Sequence, residues 1–267
     1  MLFDTLGRPF AAQQRPLRVV SLVPSDTFTV VALGAKDRLV GRTDWCIHPE
    51  KDLAHVPRIG GTKTPRVADI LALKPDLVIA NKEENKKKHF DAIEAAGIAV
   101  FVSQPATVEA SSTHVLDLGR LLHCDAAAQG LVDKVLGLPA LPARPLRTLY
   151  FIWYNPYMTV AHDTYPWDAL TAVGFAPWAP VGSSRYPRLD RHQIEASGAE
   201  VVMFPSEPFE FKQAHVDEFA RAFPNLPAVR TGRLVQVAGE HATWHGAWAC
   251  EGLPALAALR EKLMEAG

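Results

Sequence analysis

Two stretches of this chain echo each other in the same order, and that repeat limits the fold more than any other feature. Arg15-Pro16-Leu17-Arg18 leads into the apolar run Val19 to Val23, and Arg144-Pro145-Leu146-Arg147 leads into Leu149 to Trp153. Each run is short, β-branched or aromatic, and ends at a proline turn (Pro24, Pro156), as expected of a buried strand opening an α/β unit. Further on, residues 70–80 align without gaps to residues 194–204. Each of these segments reads as a helix end, a turn at Lys74-Pro75 or Ser197-Gly198, and a continuous apolar strand. Carried past the strand, the alignment sets Glu83 opposite Glu207. The shared order predicts a duplicated α/β architecture with two α/β lobes.

The connection between the lobes carries its own pattern. From Thr107 to about Leu136 there is no proline, and Val108, Val115, Leu118, Leu122, Val132 and Val135 recur at helical spacings. The spacing predicts a single long backbone α-helix of about 30 residues, spanning about 45 Å. Gly119 and Gly130 each oppose it by up to about 1 kcal/mol relative to Ala. The proline-rich stretch 138–145 then ends the helix. The expected division is a lobe at 1–106, the connecting helix at 107–137 and a second lobe at 138–267. A stiff connector would hold the lobes at a fixed separation with a cleft, and ligands in open α/β sheets bind outside the carboxyl ends of the strands.

Composition removes several function classes. The 28 Lys and Arg nearly balance the 29 Asp and Glu, so no overall field favours nucleic acid. No apolar stretch approaches the roughly 20 residues of a membrane-spanning helix. Cys46, Cys124 and Cys250 are widely separated and odd in number, so free or buried thiols are expected, not a disulfide framework or a CxxC metal signature. Met1 to Gln14 lack a basic start followed by an apolar run, so the expectation is a cytoplasmic protein if the chain is complete, or an export signal outside it.

The loops after the strands hold the candidate residues. Pro24-Ser25-Asp26-Thr27 follows the first strand, and Ser25 or Asp26 is expected to cap the next helix, its amides facing the cleft. Thr43 to Pro49 packs Trp45, Cys46 and His48 together: Trp45 could stack on a planar ligand, while a buried Cys46 and a hydrogen-bonded His48 are expected over metal ligands. Gly60-Gly61 offers a backbone that a ligand can approach closely. Asn81-Lys82-Glu83-Glu84-Asn85 follows the second strand, with Glu83 and Glu84 read as first-turn carboxylates or cleft residues. In the second lobe Trp153, Tyr154, Tyr157, Tyr165 and Trp167 crowd fifteen residues, joined by Ser206, Glu207 and Phe209, more aromatic surface than one strand can bury. Exposed rings with nearby polar groups suit a large, flat organic ligand. Near the end, His241 and His245 stand four apart beside Trp244, but the Glu of an HExxH metal motif is missing. No metal site and no cofactor are expected.

At this point a family resemblance is visible. Arg18 to Ser25, Leu39 to Cys46, Pro57 to Thr62 and Leu73 to Ala80 resemble the cluster-A (class III) periplasmic substrate-binding proteins, most of all the vitamin B12-binding or helical-backbone metal receptor branch. Trp153 to Met158, His162 to Thr164, Arg185 to Pro187, Ser206 to Phe209 and the segment around Trp244 extend the resemblance over about residues 4–260. It implies two α/β lobes bridged by one helix, a ligand clasped between them by aromatic residues such as Trp45, and a periplasmic or cell-surface location. Asn81 stands where relatives often carry Trp. Docking on an ABC permease through one acidic residue per lobe is also implied, here Glu83 or Glu84 and Glu207 or Glu210.

The expected function is capture of a cobalamin-like corrinoid for an ABC importer by a monomeric binding protein, not an enzyme. The candidate contacts are Ser25, Asp26, Trp45, Gly61, Asn81, Lys82, Trp153, Tyr154, Tyr157, Tyr165, Ser206, Phe209, His241 and Trp244. A ferric siderophore, haem or metal ion is the alternative within binding, with Arg58, Arg66, Arg185 and Arg188 suited to an anionic chelate. A cytoplasmic corrinoid carrier or sensor, and a hydrolase using Glu83 and Glu207 with His241, are the remaining alternatives.

Overall fold

A computed structural model describes residues 2–10, 15–138 and 144–265, so residues 139–143 of the proline-rich stretch lie outside the described residues. The chain divides into two compact units. The first comprises Met1–Pro105, Glu109–Gly137 and His245–Trp248, and the second Ala106–Val108, Leu138–Trp244 and Ala249–Gly267.

The first unit is built on a four-stranded parallel sheet in the order Leu39–Arg42, Val19–Ser21, Leu77–Asn81, Ala99–Ser103. Its strands are apolar on both faces because both faces are covered. Val19, Leu77, Ile79 and Phe101 share one core with Val30, Val115, Leu118, Ala128 and Val132. Val20, Val78, Ala80, Val100 and Val102 share the other with Ile70, Phe90 and Ile93. The alternation follows the two-residue period of a strand.

In the second unit the Leu146–Trp153 strand pairs in parallel with Val201–Pro205, which pairs with Leu234–Val237. The other edge of Leu146–Trp153 takes Phe175–Pro177 in parallel and Met158–Thr159 antiparallel. Its core gathers Leu149, Phe151, Val202, Phe204 and Phe219.

The repeat read from the sequence reappears in the hydrogen bonding of both units. Val19, Val20 and Ser21 face Leu77, Val78 and Ile79 in the first sheet. Thr148, Leu149 and Tyr150 face Val201, Val202 and Met203 in the second, the same register by the two alignments. The Asp76 carboxylate accepts the Leu17 and Arg18 amides, and the Glu200 carboxylate accepts the Arg147 amide. In each case the acid's own amide donates back, to the Arg18 carbonyl at 2.9 Å and to the Arg147 carbonyl at 2.8 Å. The turn before each acid also matches, with Lys74 at φ 48° and Gly198 at φ 57°. Gly198 adopts the left-handed conformation without the Cβ strain that Lys74 bears.

The stretch 107–137 departs from expectation. It is two helices, Val108–Leu121 and Asp125–Leu136, not one long helix. The chain turns at His123, whose φ is 51°, and the Arg38 guanidinium donates to the freed Leu122 carbonyl at 2.6 Å. Packing explains the break: Val115, Leu118, Leu122, Ala128 and Val132 all enter the first unit's core, which a straight helix of that length would overrun. The seven- and four-residue spacings were real, but they are continuous with either arrangement.

Gly119 lets the two helices meet, because a Cβ there would fall inside the contact distance of the Ala128 methyl. A Cβ at Gly130 would meet nothing within 4 Å. Gly130→Ala is therefore expected to stabilise the protein by about 0.5–1 kcal/mol. Gly119→Ala makes the same gain in helix preference, yet overpacking of about 1–3 kcal/mol should leave it net destabilising. Urea denaturation of the two variants checks the opposite signs.

Candidate functional site

In the first unit the chain leaves Val19–Ser21 for Leu39–Arg42 on one side, then crosses to Leu77–Asn81 on the other. The switch point therefore lies between Val19–Ser21 and Leu77–Asn81, where open α/β sheets bind ligands. Ser25 and Asp26 follow the first of these strands, and Asn81 ends the second. The helix that follows, Pro24–Ala32, starts with Pro24 in its first turn and has no side-chain cap. Ser25 and Asp26 are thus inside the helix, a correction to their expected capping role: fixed by Pro24, their side chains turn to histidines instead. Asp26 Oδ1 lies 2.7 Å from His114 Nε2 and 3.8 Å from His245 Nδ1. Ser25 Oγ lies 3.2 Å and Asn81 Nδ2 3.4 Å from His245 Nε2.

All of these groups are buried. Burial alone would raise the Asp26 pKa, but the charges of His114 and His245 and the hydrogen bond with His114 outweigh it and hold the carboxyl below its ordinary range. Burial pushes His245 down to about 4, against the pull of Asp26. At neutral pH Asp26 is therefore ionised and His245 neutral.

The loop after Leu39–Arg42 is pinned from below. Cys46 points inward, its Sγ 3.0 Å from both Thr27 Oγ1 and Thr43 Oγ1, and Arg42 donates to its carbonyl at 2.8 Å. With Cys46 anchored, Trp45 and Ile47 on either side stand outward, 64% and 47% exposed. Gly60-Gly61 backs the loop: the Asp44 amide donates to the Gly60 carbonyl, and a Cβ at Gly61 would stand 3.6 Å from Trp45 Nε1. Beside it a cavity of about 550 Å³ is lined by Arg42, Ile47, His48, Glu50, Val56 and Arg58.

In the second unit the aromatic residues divide by depth. Trp153, at the carboxyl end of its strand, is 44% exposed and meets Phe209 edge to face at 5.6 Å. Tyr154 and Tyr157 are half-buried, Tyr154 donating from its hydroxyl to Glu218 at 2.7 Å and Tyr157 packing on Phe151. Tyr165 and Trp244 are buried. Ser206 Oγ accepts the Gly239 amide at 3.0 Å and donates to Glu240 at 3.3 Å. His241 lies in the short helix Glu240–Thr243 of this unit, whereas His245 belongs to the first unit, so the two are not neighbours on one helical face.

The acids also sort out. Glu83 and Glu84 precede the Lys87–Ala95 helix instead of forming its first turn, because Asn81 Oδ1 gathers their amides into a turn of its own. Both are half-buried, beside an exposed Lys82. Glu207 accepts from Thr243 Oγ1 at 3.1 Å, and Glu210 is exposed, 3.5 Å from Lys212. Sequence reasoning missed His114 altogether. Its signal was position: it sits four residues before Leu118 and beside Val115, on the face the apolar spacing had already marked as buried.

Burial raises the Cys46 thiol, with its two threonine hydrogen bonds only partly opposing. In native protein Cys46 is expected to resist iodoacetamide for as long as the fold persists, while Cys124 and Cys250, only half-buried, react first. Mass spectrometry of the alkylated peptides reads the order.

The chain matches known proteins. The profile of the periplasmic binding protein family matches residues 19–239. A vitamin B12-binding protein of Yersinia pseudotuberculosis serotype O:3 (strain YPIII) is 29% identical over 252 residues, covering 85% of this chain and 87% of its own. The solved periplasmic vitamin B12 binding protein BtuF of Vibrio cholerae aligns with a TM-score of 0.75 and 20% identity over 93% of this chain and 98% of its own. The periplasmic haem binding protein HutB of Vibrio cholerae aligns at 0.79 and 19% over 91% and 98%. These two structures share the fold.

Proposed function

We propose that this chain, which belongs to the periplasmic binding protein family, captures a corrinoid of the cobalamin type for an ABC importer. The observation that carries the reading is the pair of outward tryptophans, Trp45 in the first unit and Trp153 in the second. Each is exposed at or just beyond the carboxyl end of a strand. Flat aromatic faces supply affinity for a macrocycle, and a few polar groups fix its orientation. The relatives named for vitamin B12 support the ligand class.

The chemistry is reversible binding. The family is one of binding proteins, which leaves no place for the hydrolase reading of Glu83 and Glu207. Tyr154, Tyr157, Phe209, Gly61, Lys82, Ser206 and His241 are the further contacts we assign, because each lies at or near these strand ends and keeps some exposure. Ser25, Asp26, Asn81, Tyr165 and Trp244 are buried, and we do not assign them as contacts.

A second reading is an anionic metal chelate such as haem or a ferric siderophore. It is favoured by Arg42 and Arg58 lining one cavity, where two guanidinium groups suit carboxylates. For docking, Glu210 is the exposed one of the two candidate acids in the second unit, and Glu83 or Glu84 is the candidate in the first. The binding protein works as a monomer in this reading.

Cyanocobalamin titration followed by tryptophan quenching tests the ligand. Binding at micromolar concentration or tighter is expected, with Trp45→Ala and Trp153→Ala each weakening it by about tenfold or more, or ~1.4 kcal/mol. Haem titrated in parallel decides the second reading: saturable haem binding without cyanocobalamin binding would replace the corrinoid. Glu210→Lys is expected to leave the cyanocobalamin constant unchanged and to abolish stimulation of the partner transporter's ATPase.

A further inference from the structure

We propose that Asp26, His114 and His245 form a binding site for one divalent transition-metal ion inside the first unit. One ligand atom from each residue lies within 4.8 Å of the others, and among the described residues this is the grouping of His, Cys, Asp and Glu that could hold an ion. The three come from the first turn of Pro24–Ala32, the middle of Val108–Leu121 and the segment after Trp244. Only the fold brings them together.

The donor chemistry narrows the ion. Two imidazoles and one carboxylate suit Zn²⁺, Fe²⁺ or Co²⁺, whereas Ca²⁺ and Mg²⁺ need oxygen ligands. Cys46 lies outside the group, so no thiolate draws a softer ion. Asp26 is fully buried, yet its Oδ2 makes no hydrogen bond of normal geometry, although Ser103 lies near enough to lower the carboxyl's pKa. Buried acceptors are nearly always occupied, so an unpaired carboxylate oxygen in the interior points to a partner such as a cation.

Two of the three ligand separations are already close to those a metal imposes. Asp26 Oδ1 stands 2.7 Å from His114 Nε2 and 3.8 Å from His245 Nδ1. Ligand atoms about 2.0–2.2 Å from a tetrahedral ion sit roughly 3.3 Å apart, so these two pairs must move by about half an ångström, and the third pair lies within 4.8 Å. With Nδ1 of His245 on the ion, Nε2 carries the proton and can donate to Ser25 Oγ, 3.2 Å away. Such outer hydrogen bonds orient metal-bound imidazoles.

The ion would fasten three separate pieces of chain. His245 is followed by Gly246, whose amide donates to Ser111 Oγ at 2.7 Å, and Ala247, whose amide donates to Thr29 Oγ1 at 3.0 Å. The 245–248 segment is thus already seated against the helices that carry Asp26 and His114. The inference does not rest on the corrinoid reading.

The test uses the whole chain, stripped with chelator, unfolded in urea, refolded with Co²⁺ in the absence of any corrinoid, and desalted. The expected result is about one Co²⁺ per chain, visible absorption of low-coordinate cobalt, its displacement by Zn²⁺, and a higher Tm with metal than without. His114→Gln and His245→Gln should each lose the bound ion. If either variant fails to fold, long-range ¹H–¹⁵N spectra of the wild-type imidazoles with and without Zn²⁺ replace it, and the His114 and His245 rings should shift. Refolded protein that retains no cobalt, a His114→Gln variant that retains it undiminished, or imidazole spectra unchanged by Zn²⁺ would each overturn the site.

Discussion

Parallel pairing of two central strands, repeated in each unit, is the constraint on which the rest of the structure depends. A parallel pair cannot close with a tight turn, so the chain must cross over a face of the sheet before returning. Those crossovers bury both faces and leave the strand ends open to a ligand. The carboxylates of Asp76 and Glu200 fix where each pair begins by accepting the amides of the neighbouring strand. Register, once set there, decides which side chains reach the far end, and a slip of one residue would exchange the two cores.

At that far end the two units use different chemistry on the same frame. The second ends in rings: Trp153 meets Phe209 edge to face and Tyr154 lies tilted against Phe209, over an aromatic core. The first ends in a buried charge beneath an exposed ring. An ionised carboxylate such as Asp26 is tolerated in the interior only with partners, and two imidazoles supply them. The outward Trp45 sits in the turn that the inward Cys46 anchors.

Much of this was legible from the sequence. The repeat marked Val19–Ser21, Leu77–Asn81, Leu146–Trp153 and Val201–Pro205 as strands, because buried parallel strands leave continuous apolar runs, while their pairing came from the structure. The inward Cys46 and the exposed Trp45 and Trp153 also followed from residue type. The break at His123 did not, since apolar spacing reports which face is buried but not whether the helix turns back. Nor did the role of Asp26: a Ser-Asp pair after a strand reads as a cap, and the two histidines that claim it lie 88 residues and more away. Local patterns cannot report a contact between such distant residues.

The path of the last hundred residues has a consequence for how the protein is made. Residues 245–248 belong to the first unit, while the chain on both sides of them belongs to the second. On the ribosome, where the amino-terminal part of a chain normally folds first, the first unit therefore stays incomplete through most of synthesis. Until residue 248 has emerged, Ser111 and Thr29 lack the amides they receive in the finished protein, and Asp26 has one imidazole beside it instead of two. The earliest part of the molecule to be translated is among the last to be finished, and it must wait exposed to whatever in the cell handles half-folded chains.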